Sequence, residues 1–65
     1  MRNTELKRAR ANKLLTQHEL AEVVGYGLTE KDVCLYETGR SKPNPILAKR
    51  IAEALGADAQ VIFAQ

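Results

Sequence analysis

The sequence predicts an all-α fold of five short helices, and three observations predict it. Capping residues recur just ahead of apolar stretches, at Asn3 or Thr4, Thr16, Thr29, Asn44 and Asp58. Between these caps, Leu, Ile, Val and Ala return at the spacing of a helix face. No run alternates apolar with polar residues as a half-buried strand does, and "VIF" near the end is too short to compete. Hydrophobic residues make up 45% and charged residues 28%, which fits a folded soluble chain rather than a disordered one. Aromatic residues are 5% and Trp is absent, so the core must come from aliphatic side chains, most of them helix formers. A chain of 65 residues is expected to form one small domain spanning residues 1–65. It buries only roughly 60% of its unfolded surface, so its stability depends on good packing.

The first helix is expected over "TELKRARANKLL", with Leu6, Ala9, Arg10, Lys13 and Leu14 on one face and Arg10 the odd member. "TQHE" then makes a capping box: the Thr16 hydroxyl accepts from the Glu19 amide while Glu19 reaches back. The second helix runs through "QHELAEVV", lined inside by Leu20, Val23 and Val24 with Ala21 beside them, and stops at Gly25. "TEKD" repeats the device at Thr29 and opens a third helix that ends at Gly39, a left-handed C-cap. "RSKPNP" is a loop. Asn44 caps the fourth helix, with Pro45 at its first position where the missing amide costs nothing. Ile46, Leu47, Ile51 and Leu55 recur along it, and Gly56 ends it. Asp58 opens a last turn, "AQVIFA".

The middle of the chain meets the needs of two short helices crossing at a steep angle. These are a small residue at the close approach, a turn tolerant of positive φ, and apolar residues facing the first helix. Ala21, Gly25, Val33 and Tyr36 supply them. Together, "LTQHELAEVVG", "VCLYETGRSKP" and "ILAKRIAEALGAD" resemble the phage repressor and Cro-like helix-turn-helix family, also called the xenobiotic-response-element type. The likeness covers nearly the whole chain. It implies a compact five-helix lambda-repressor-like DNA-binding domain, with helices two and three forming the helix-turn-helix. One departure stands out: Gly25 precedes Glu37 by twelve residues, where the family pattern has ten, so "YGLT" carries two extra residues. Gly27 can absorb a wide turn; the alternative is a third helix tilted away from its usual docking.

The resemblance also implies roles. Arg10 would pair with Glu37 inside the fold, a structural ion pair in which a planar guanidinium meets a carboxylate. Gln17, at the start of the second helix, would meet a phosphate, or serve as a plain N-terminal helix residue. The third helix, about residues 29–38, would enter the major groove with Glu30, Lys31, Cys34 and Leu35 toward the bases and Thr29 toward phosphate. Lys31 can donate to guanine, Glu30 can accept from cytosine N4, and Leu35 can meet a thymine methyl. Glu30 and Asp32 also suit the positive helix N-terminus, yet both repel phosphate. Arg40, Ser41 and Lys42 would follow the DNA backbone, fixing register without reading sequence.

The function expected is a sequence-specific double-stranded DNA-binding transcriptional regulator. The alternative is a protein-interaction module of the same fold, antitoxin-like or a phage accessory factor, with weak or no base reading. A homodimer is expected to use the C-terminal Val61, Ile62 and Phe63, unless these simply close the core over the fourth helix. A net charge of +2 and a pI near 8.9 are compatible with nucleic acid without requiring it. No catalytic residues, metal site or cofactor are expected, because no phosphate-binding glycine motif, ligand cluster or nucleophile with its base is present. His18 lacks partners for either metal or general-base work. The single Cys34 excludes an internal disulfide and suits a reducing, cytoplasmic setting. No apolar run nears the roughly 20 residues of a membrane span.

Overall fold

The computed structural model describes residues 2–63. It holds five helices: α1 (Thr4–Asn12), α2 (Gln17–Val24), α3 (Glu30–Glu37), α4 (Pro45–Leu55) and α5 (Ala59–Phe63). No strand occurs among the described residues. The lambda-repressor-like all-α expectation therefore holds. α2 packs most closely on α3, α4 lies against α2 and α5, and α1 bridges α3 and α5. The caps fall where the side chains put them. Asn3 Oδ1 accepts from Leu6 N–H, and Asn44 Oδ1 accepts from Leu47 N–H. Thr16 and Thr29 each form a complete capping box, with Glu19 and Asp32. The core is aliphatic, centred on the fully buried Leu6, Leu20, Val33 and Ile51, with Leu55, Ile62 and Tyr36 around them.

The capping box at Thr16 is pH-sensitive. The Thr16 backbone N–H, then its hydroxyl, hold the exposed Glu19 carboxyl below its ordinary value of 4.5. A lowered folded value stabilises the protein above the ordinary carboxylate range, and that support is lost as pH falls through it. Glu19→Gln should therefore melt below the parent at pH 7, with the gap closing by pH 3. Thermal melts at the two pH values check this.

Three expectations are corrected by packing. The first helix does not reach Leu14: it stops at Asn12, and Leu14 takes a left-handed φ of 57°. There the N–H of Leu15 donates to the Arg10 carbonyl and that of Leu14 to the Ala11 carbonyl, the Schellman pattern with Leu14 where glycine is usual. Leu14 is 88% exposed, so it does not share the inner face with Leu6. Val23 and Ile46 likewise point outward, because α2 and α4 are each buried along a stripe narrower than their apolar content. Ile62 is core, and its carbonyl accepts from Asn3 Nδ2 at 2.9 Å. It cannot serve a dimer surface; of the three C-terminal residues only Val61 is open, with Phe63 half-buried against the core. Leu14→Gly should raise stability by about 0.5–1 kcal/mol, since glycine adopts the left-handed region without the side-chain clash. A rise in Tm of roughly 2–8 °C is the readout.

The widened turn between α2 and α3 closes on itself. Leu28 N–H donates to the Gly25 carbonyl at 3.0 Å, closing a tight turn. Its central residues, Tyr26 and Gly27, both have positive φ, at 55° and 76°, as a type I′ turn requires. Leu28 then drops into the core beside Val24 and Val33. Tyr26 is the exposed tip of the turn, and the Arg50 guanidinium lies 4.9 Å from its ring centroid, within cation–π range.

Candidate nucleic-acid interface

The orientation of α3 is set from beneath by one polar network. Arg10 Nε donates to Glu37 Oε2 at 2.5 Å and Nη2 to Oε1 at 3.1 Å, a bidentate pair. The side chains are 14% and 5% exposed. Arg10 Nη1 also donates to the Leu15 carbonyl at 2.7 Å, tying the α1–α2 turn to the end of α3. The hydrogen bonds that Arg10 donates to Glu37 raise its pKa despite its partial burial, so its charge is fixed at any working pH. Gln17 joins this network: its Nε2 donates to Glu37 Oε1 at 3.1 Å. One amide hydrogen is thus committed inside, leaving the second and the carbonyl oxygen for an outside partner. The reach of Gln17 to Glu37 spans two helices and has no local sequence signal.

Helical periodicity then sorts the residues of α3. Val33, Tyr36 and Glu37 face inward and are buried. Burial holds the Tyr36 phenol above its ordinary value, so it stays protonated. Glu30, Lys31 and Cys34 are exposed on the opposite side, with Leu35 half-buried at its edge. Asp32 belongs to the cap: its carboxylate accepts from Thr29 N–H at 3.2 Å, while the Thr29 hydroxyl accepts from Asp32 N–H. The Thr29 O–H is still available to donate outward.

The end of α3 positions the cations. Gly39, at φ 78°, follows the Thr38 C-cap; its N–H donates to the Tyr36 carbonyl and that of Arg40 to the Leu35 carbonyl. These two bonds make a second Schellman closure, here on the residue type that fits it. They fix the chain direction out of α3, so that Arg40, Ser41 and Lys42 follow it directly, all exposed. Among the described residues neither Arg40 nor Lys42 has an ion-pair partner. His18 does have partners. Its Nε2 lies 3.5 Å from Glu22 Oε2 and its Nδ1 3.9 Å from Glu30 Oε1. The four-residue spacing from His18 to Glu22 is visible in the sequence; the approach of Glu30 from α3 is not. No cluster of His, Cys, Asp and Glu among the described residues could hold a metal ion, and no helix there is long and apolar enough to cross a membrane.

The sequence pattern of the helix-turn-helix family matches residues 6–62, which takes in all of α2, α3 and α4. A protein of Methanothermobacter thermautotrophicus (strain Delta H), called an uncharacterized HTH-type transcriptional regulator, is 55% identical over 42 residues. That alignment covers 65% of this chain and 58% of the relative, so the chain matches little more than half of that protein's length. No solved structure matches the chain significantly.

Proposed function

Because the chain belongs to the repressor and Cro-like helix-turn-helix family, we propose that it is a sequence-specific double-stranded DNA-binding transcriptional regulator. α3 is its reading helix in the major groove. The observation that carries this reading is the family match across residues 6–62, together with an exposed outward side of α3. Phosphate contact falls to Arg40, Ser41 and Lys42, and to Thr29 and the free amide hydrogen of Gln17 at the two helix starts. Base reading falls to Glu30, Lys31, Cys34 and Leu35, with Lys31 donating to guanine and Glu30 accepting from cytosine. One such unit makes few contacts. Two copies reading half-sites about 34–36 Å apart would reach useful specificity.

Selection of bound duplexes from a random DNA library, at moderate salt and with pure protein, tests this. The expected result is an enriched motif with two half-sites about one helical turn apart. A single short motif would keep base reading and remove the dimer. No enrichment, at any salt, would overturn base reading and leave the exposed side of α3 to a protein partner.

A further inference from the structure

We propose that His18 is a positioning residue for base reading, acting through Glu30 and controlled by a proton. This rests on the reading that α3 enters the major groove. The two ring nitrogens of His18 face different carboxylates on different helices, Glu22 on α2 and Glu30 at the start of α3. Neutral imidazole has one N–H and one lone pair, so in either tautomer one of these carboxylates confronts a lone pair. Only the imidazolium, with a donor at each nitrogen, suits both at once. The arrangement is therefore complete when His18 is protonated and half-opposed when it is not.

The consequence falls on Glu30. Its carboxylate sits on the side of α3 offered to the bases, where phosphate repels it. Protonated His18 holds one oxygen of it and offsets its charge against phosphate, leaving the other oxygen to accept from a base; neutral His18 leaves it unheld. The other charged groups around the ring are acidic too. Glu19 lies on the same helix, with its carboxylate held by Thr16 N–H, and Glu22 completes the set. Among the described residues no Lys or Arg is paired with any of these three carboxylates, so His18 is the cation the cluster has. His18 is also the only histidine in the chain, and no other side-chain type ordinarily changes charge between pH 5.5 and 7.5. All three partners are more than half exposed, so the effect is a modest one.

The test is binding of the full chain to its selected duplex and to an unrelated duplex, by fluorescence anisotropy, between pH 5.5 and 7.5 at constant ionic strength. For the parent, affinity for the selected duplex should rise about threefold as the pH falls, the scale of one exposed ion pair. His18→Gln should lose that slope. Glu30→Gln should lose it as well while keeping His18 and Glu22, because the proton then has no carboxylate on α3 to act on. An equal slope in the parent and His18→Gln would overturn the proposal and leave DNA reading intact. A slope kept in Glu30→Gln would make His18 a direct phosphate contact and overturn its action through Glu30. No binding to any duplex at either pH would overturn the DNA reading itself. Far-UV circular dichroism of both variants separates loss of fold from loss of the slope.

Discussion

Glu37→Ala is expected to cost about 3–5 kcal/mol, the largest single effect in the chain. Its carboxylate accepts from Arg10 twice and from Gln17 once, with 5% of the side chain exposed. Removing it strands a guanidinium that is only 14% exposed and has the Leu15 carbonyl as its one remaining partner. For a domain of this size each kcal/mol shifts Tm by about 4–8 °C, so a fall of 12 °C or more is expected, and with it loss of folded protein near 37 °C. Glu37→Gln keeps the shape and one acceptor and should lose less. The pair is also a hinge of geometry, because α1, α2 and α3 meet on it. A double-mutant cycle of Arg10→Ala with Glu37→Ala, read by chemical denaturation, checks the coupling. Additive effects would mean that the bidentate contact contributes nothing of its own.

Arg40→Ala combined with Lys42→Ala is expected to weaken DNA binding about tenfold or more on every duplex, selected or not. The slope of log K against log salt should flatten by about 1.8, from 0.9 for each phosphate contact given up. Among the described residues neither side chain has an ion-pair partner, so the melting curve should not move. Lys31→Ala is the contrast. It stands on the exposed side of α3, and its loss should change preference at one base position by about 1–3 kcal/mol while leaving unrelated duplexes nearly as before. Equal loss on all duplexes from Lys31→Ala would mean that it touches phosphate. An unchanged salt slope in the Arg40 and Lys42 variant would remove the loop from the DNA.

Several features were legible in the sequence because each is written in a few adjacent residues. Thr16 with Glu19, and Thr29 with Asp32, specify helix starts by chemistry that completes itself within one turn. Asn44 followed by Pro45 does the same for α4. Gly39 and Gly56 mark two helix ends because a left-handed residue is needed there. Leu14 occupies such a position without being glycine, so no residue type marks the end of α1 in the sequence. The pairing of Arg10 with Glu37 was reached through family resemblance, since no local rule joins residues so far apart in the chain.

The sequence by itself determined the five helices and most of their caps, which follow from short-range periodicity and capping chemistry; a role for Glu30, Lys31 and Cys34 toward bases came from the family resemblance. Tertiary structure alone decided the rest. It chose which apolar residues are buried, taking Leu28 and Ile62 into the core and leaving Leu14, Val23 and Ile46 outside. It turned Gln17 inward onto Glu37 and brought Glu30 to His18. It closed the turn from Gly25 to Leu28 and anchored Leu28 beneath. The physical reason is common to all of these. A cap is satisfied within its own turn, whereas burial and contacts between helices depend on how the elements pack, and that is set by the whole core at once.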